Sequence, residues 1–126
     1  MTRVTLVTGN RASLREAAIA ARLDPAHRTA IILEGLPEGN GVLHQTAEQA
    51  EPRIVRIAPG CMHCIGNLVL RITLNRLLRD RPDRLYIGAA SDQHLDLLRQ
   101  FLRSPPYDDL LTMDDDVVGN PASDER

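Results

Sequence analysis

Apolar positions in this 126-residue chain follow two alternating rhythms: short β-branched runs, and longer stretches with an apolar residue at every third or fourth place. Residues 3–8, with Val4, Leu6 and Val7 at their centre, read as a strand broken by Gly9 and Asn10. Ser13-Leu14-Arg15-Glu16 has the spacing of a helix-capping box, so a helix is predicted over 14–23. Asp24-Pro25 stops it, because proline disfavours helical geometry in the residue before it. Residues 29–34 form a continuous apolar run of the kind a strand covered on both faces requires, followed by a loop carrying Gly35, Gly39 and Gly41. One or two helical turns are expected over 42–51 and a third strand over 53–58. A helix over 65–79 follows, with apolar residues at 65, 68, 69, 72 and 77 near one face. A fourth strand over 84–88, a third helix over 92–103, the break Ser104-Pro105-Pro106 and a fifth strand over 109–113 complete the pattern.

Strands separated by helices imply parallel pairing through right-handed crossovers. The predicted architecture is α/β in three layers: a doubly wound, mostly parallel sheet of about five strands. Ligands of such sheets gather where strands end, and the loops at Gly9, Gly35, Gly60 and Gly88 share that edge. Residues 1–113 are read as a single domain. The acidic segment 114–126, poor in apolar residues, is expected to be a disordered, solvating tail, although Asp114-Asp115-Asp116 offers weak binding to a hard cation.

Charge narrows the partners. The formal net charge is −2, with +2 over residues 1–113 and −4 in the tail, so nothing steers the chain strongly towards nucleic acid or membrane. Tyr86, Phe101 and Tyr107 are the only aromatic residues, too few for a base-stacking surface. No apolar stretch approaches the ~20 residues needed to span a bilayer, and the N-terminus has no signal-peptide core, which points to a cytoplasmic protein. His27 and His44 are isolated in polar loops and read as exposed, while arginines 71, 76, 79, 81 and 84 form a basic helix end.

The candidate chemistry lies in two turns. The only two cysteines flank a histidine in Gly60-Cys61-Met62-His63-Cys64, a donor set that suits zinc and lacks one ligand for tetrahedral closure. Glu34, His94 or a second chain could supply it. A pair of semi-buried structural cysteines and a thioredoxin-like redox turn are the other readings, the latter lacking an obvious proline-preceded strand. The second turn, Gly9-Asn10-Arg11-Ala12-Ser13-Leu14-Arg15-Glu16, follows the strand that would lead into a phosphate loop. A working loop needs glycine, lysine and a hydroxyl where this chain has Leu14, Arg15 and Glu16, and all 15 basic residues are arginine. A carboxylate at the hydroxyl's place repels phosphate, so nucleotide hydrolysis is not expected. Gly9 and Arg15 are the residues that would touch an anion or a nucleotide if binding persisted. No catalytic grouping stands out.

The order of Leu6-Val7-Thr8-Gly9, Leu33-Glu34-Gly35 and Gly60-Cys61-Met62-His63-Cys64 resembles the nucleotide-binding domain of the CobW-type GTPases, a family of cobalt and zinc chaperones. Pro82-Asp83-Arg84-Leu85-Tyr86-Ile87 resembles the strand that follows there. The likeness covers residues 1–113, the first part of the family's GTPase domain. It implies a P-loop NTPase-like fold with a degenerate phosphate loop, hence a pseudo-GTPase. The family's metal motif, Gly-Cys-x-Cys-Cys, maps to Cys61 and Cys64, with His63 replacing the middle thiol and Glu34 as a further donor. The implied cargo is zinc, with cobalt or nickel as alternatives, and the implied partners are a second copy or a full-length GTPase. An interaction module with relic cysteines, or residual GTP binding, are the rival functions.

Overall fold

Strands and helices alternate along the chain in the computed structural model, which describes residues 1–9, 11–35, 52–58, 67–90, 93 and 95–119. The elements are β1 (Thr2–Gly9), α1 (Ala12–Ala20), β2 (Thr29–Glu34), β3 (Arg53–Ile57), α2 (Leu68–Leu78), β4 (Arg84–Gly88), α3 (Leu95–Leu102), β5 (Leu111–Met113) and β6 (Val117–Gly119). They build a parallel sheet in the order β3-β2-β4-β1-β5, with β6 also paired to β1. Val4 faces Met113 and Val7 faces Val117, so β5 and β6 follow one line along β1 with a single extra residue between them, a bulge.

The chain leaves β1 in one direction, to β2, and leaves β3 and β4 in the other. Right-handed crossovers then require α1 on one face of the sheet and α2 and α3 on the opposite face. The two cores match. Ile19 of α1 packs on Val7, Ile31, Leu33 and Tyr86. Leu70, Leu74 and Leu77 of α2, with Leu98 and Leu102 of α3, pack on Val4, Leu6, Ala30, Ile32, Leu85 and Ile87. Successive residues of β2 point to alternate cores, which is why Ala30, Ile31, Ile32 and Leu33 are all apolar; all six residues of the strand are buried, the polar Thr29 and Glu34 only at its ends. Each of these buried leucines and isoleucines contributes about 1.5–3 kcal/mol relative to exposure.

Four local features depart from the sequence reading. Helix α1 begins at Ala12, and its N-cap is Arg11, whose side chain makes no capping hydrogen bond. The Ser13–Glu16 capping box does not form, because Glu16 turns to the sheet instead. Three-residue hydrogen bonds, from Arg22 N to the Ile19 carbonyl and from Leu23 N to that of Ala20, tighten the end of the helix. The Asp24 carboxylate then accepts from Ala26 N and makes the turn at Pro25. In α2 the buried stripe is Leu70, Thr73, Leu74 and Leu77, whereas Leu68 and Ile72 of the expected face are exposed. Finally, β6 falls within the acidic segment for which composition predicted disorder, and carries the sheet to Gly119. The turns expected over 42–51, His44 and residues 120–126 lie outside the described residues.

Candidate functional site

Four strands deliver their carboxyl ends to one edge. Glu34 closes β2 opposite Ile57, the last residue of β3, and Gly35 N donates to the Ile57 carbonyl at 2.8 Å. Gly88 of β4 sits between Leu33 and Val7, and Ala89 N donates to the Val7 carbonyl at 2.8 Å. The chain reverses its winding direction between β1 and β4, so the crevice beyond Gly9 and Gly88 is the topological switch point where such sheets bind ligands.

Charged side chains tie these exits together. Arg15, only 6% exposed, donates from Nη1 to the Gly9 carbonyl at 2.9 Å and from Nη2 to the Glu34 carbonyl at 3.4 Å, joining the ends of β1 and β2. The Glu34 carboxylate accepts from Ala90 N at 2.9 Å, joining β2 to the exit of β4. One residue further along α1, Glu16 is 1% exposed and receives both terminal nitrogens of Arg56, at 3.0 and 3.2 Å. This fork-on-carboxylate geometry is the strong form of a charged hydrogen bond, and it pins α1 to β3. The cleft enclosed by Ala12, Arg15, Glu16, Leu33, Glu34, Gly35 and Arg56 leaves no room for a water molecule.

The turn between β1 and α1 is tight for a second reason. Only Asn10 and Arg11 separate strand from helix, so Leu14, at the second glycine of the phosphate-loop pattern, already lies within the helix. The backbone of β6 presses on the same turn. A Cβ on Gly119 would meet the Leu14 carbonyl oxygen at 2.5 Å, and one on Gly9 would meet the Gly119 carbonyl oxygen at 2.6 Å. Only glycine fits at either place.

The residues expected to hold metal divide between the described and undescribed parts. Glu34 is at the edge, buried, beside the strand end that leads into the cysteine turn. Cys61, His63 and Cys64 lie outside the described residues, as does His94. The elements on either side are described: β3 ends at Ile57 and α2 begins at Leu68. Among the described residues no three His, Cys, Asp or Glu side chains gather to hold a metal ion. Gly9 and Arg15, the expected anion contacts, are brought together by their own hydrogen bond. Sequence reasoning missed the Glu16–Arg56 pair and the role of Gly119. An arginine set between Val55 and Ile57 within a strand was the available signal for the first, and nothing local marked the second.

Fold and edge together define a doubly wound α/β domain, compatible with the P-loop NTPase-like architecture. The chain is 30% identical over 112 residues to the zinc chaperone YeiR of Escherichia coli (strain K12), an alignment covering 86% of this chain and 34% of that protein. The chain thus spans about a third of the length of the curated relative it matches. No family model and no solved structure matches the chain. Among the described residues, no helix is long and apolar enough to cross a membrane.

Proposed function

We propose that this chain is a metal-handling domain of CobW type that binds a transition metal, zinc foremost, at Cys61, His63 and Cys64, and that it does not hydrolyse nucleotide. The observation that carries the reading is the contrast between two exits on one sheet edge. At the exit of β1, the residues standing where a phosphate loop has its lysine and hydroxyl are spent on internal contacts, Arg15 on Gly9 and Glu34, Glu16 on Arg56. A phosphate there would have to pull Arg15 from the Gly9 and Glu34 carbonyls and expel the Glu16 carboxylate from its pair with Arg56. After β3 the sequence continues into Gly60-Cys61-Met62-His63-Cys64, which carries two thiols and an imidazole. Similarity to a protein named as a zinc chaperone supports the metal arm.

Glu34 is the candidate fourth donor. Its backbone pairs with Ile57 at the end of β3, while its carboxylate is held by the Ala90 amide at the exit of β4, and a pre-oriented oxygen ligand costs little entropy on binding. Zinc accepts such a mixed sulfur, nitrogen and oxygen set, and thiolates favour it over harder ions.

The test is metal analysis by mass spectrometry of untagged protein purified under reductant, beside the Cys61→Ser/Cys64→Ser variant, with calorimetry for GTP and magnesium on the wild type. Near-stoichiometric zinc lost in the variant, with no heat from GTP, is the expected result. Metal-free wild type that also fails to take up added zinc overturns the metal arm; a saturable GTP signal overturns the other.

A further inference from the structure

Helix α2 is leucine-rich on two sides and buries only one. Leu70, Leu74 and Leu77 face the sheet, while Leu68 and Ile72, one turn apart, remain 58% and 50% exposed. On the same outward stripe stand Arg71, Arg76 and the C-cap residue Arg79; α2 contains no acidic residue, and Asp80 just beyond it is paired with Arg53. Arg76 and Arg79 make no ion pair with any described residue. The Arg71 guanidinium lies 5.0 Å from the centre of the Phe101 ring, bridging to α3, and one turn before Phe101 stands the exposed Leu97. The acidic residue nearest Leu97 in sequence, Asp96, is engaged by Arg99 at 2.8 Å. The outer surface of the two helices is therefore an aliphatic patch rimmed by cations, some of them unneutralised. Isolated exposed leucines are ordinary, but aliphatic residues grouped with arginines on one helix face match the chemistry of a surface that packs against an amphipathic helix of opposite charge.

We propose that this face docks a partner segment that is acidic and amphipathic, its aliphatic side chains on Leu68, Ile72 and Leu97 and its carboxylates on Arg76 and Arg79. Charge selects this occupant over a second copy. A two-fold dimer through α2 sets arginine against arginine, with no carboxylate on the helix to answer it. Nucleic acid fits poorly, because the centre of the patch is aliphatic and the one described ring on it, Phe101, is half-buried beneath Arg71. Leu68 follows Cys64 by four positions in the sequence. The inference rests on the surface alone and stands whether or not the cysteine turn holds metal.

The experiment is fluorescence anisotropy with a labelled amphipathic peptide of about 18 residues, leucine on one face and glutamate on the other, beside the same peptide with lysine for glutamate. The full chain is compared with Leu68→Ser/Ile72→Ser and Arg76→Glu/Arg79→Glu, exposed changes whose folding is checked by circular dichroism. Expected are saturable binding of the glutamate peptide only, weakened at least about tenfold in each variant and by added salt. Equal binding of the lysine peptide, indifference to both variants, or no saturable binding overturns the proposal. So does tighter binding to single-stranded RNA or phosphatidylglycerol vesicles. Zinc content measured on the same variants separates this outcome from the metal reading, since neither variant touches a proposed ligand.

Discussion

Replacing Arg56 with methionine keeps most of the side-chain stem and removes the guanidinium that holds Glu16. The Glu16 carboxylate is 1% exposed and takes both of its bonds to Arg56 at 3.0 and 3.2 Å, so the variant strands a charge inside the α1–β3 contact. Breaking a buried pair by removing one partner costs about 3–5 kcal/mol. The Arg56 side chain is itself 23% exposed, so water reaches part of the site and the lower end, about 3 kcal/mol, is expected. For a domain of this size that corresponds to a fall in melting temperature of roughly 10 °C. Glu16→Gln preserves shape and leaves an arginine that can turn to solvent, so it loses only about 1–2 kcal/mol. Urea unfolding followed by far-ultraviolet circular dichroism on both single variants and the double variant gives the coupling energy. About 1.5–3 kcal/mol is expected for residues bonded this closely. A loss below about 1 kcal/mol in Arg56→Met, or additive singles, refutes the reasoning. Glu16 would then be free to swing towards the β1–α1 turn, and the argument that this turn is committed internally would go with it.

Two further outcomes follow from the packing. Gly119→Ala places a Cβ 2.5 Å from the Leu14 carbonyl oxygen and 2.7 Å from its carbon, both backbone atoms that must shift, and should cost about 2–3 kcal/mol in urea unfolding. Gly88→Ala is crowded by the Leu33 Cδ2 atom alone, at 3.1 Å, a side chain that can give, with Ile19 Cδ1 and the Ile32 carbonyl oxygen at ordinary contact distances of 3.8 and 3.9 Å, and should cost clearly less; equal losses would show that backbone contact is not the cause. The Tyr107 phenol donates to Asn75 Oδ1 at 2.9 Å, and burial raises its pKa above 10.0 while Arg71 pulls part of the way back. The folded state thus keeps a proton that the unfolded chain releases. This contribution is intact below about pH 10 and is lost as pH rises through the folded value. Melting curves across the alkaline range should fall less steeply for Tyr107→Phe than for wild type, and parallel curves would count against the assignment.

Much of the fold was legible because its signals are local. The β-branched run before Gly9, the continuous apolar stretch of residues 29–34 and the strand over 84–88 all form where expected, since a strand buried on both faces needs apolar residues at successive positions. The helices were legible as elements and less so as boundaries and faces. Ser13 and Glu16 have capping-box spacing, but a salt bridge from β3 outcompetes a surface cap for the same carboxylate. The spacing of residues 65, 68, 69, 72 and 77 predicts one aliphatic face for this helix, whereas the alternative stripe through Leu70 and Leu74 is equally periodic and is the one buried. Periodicity reports that a helix has an apolar stripe; it cannot choose between two.

The candidate site divides in the same way. The composition of the cysteine turn, the absence of lysine and the misplaced carboxylate at Glu16 are properties of the chain, and they bound its chemistry before any folding. Sequence also determines the alternation of elements, hence the parallel, doubly wound sheet and the edge on which its loops meet. Tertiary structure decides where the charges go. Arg15 reaches Glu34 across 19 positions, Glu16 meets Arg56 across 40, and Gly119 closes on Leu14 from the far end of the chain. Such partners are chosen by register and burial, since a charge removed from water takes the counter-charge the sheet brings to it, and neither register nor burial is written in any local run of residues.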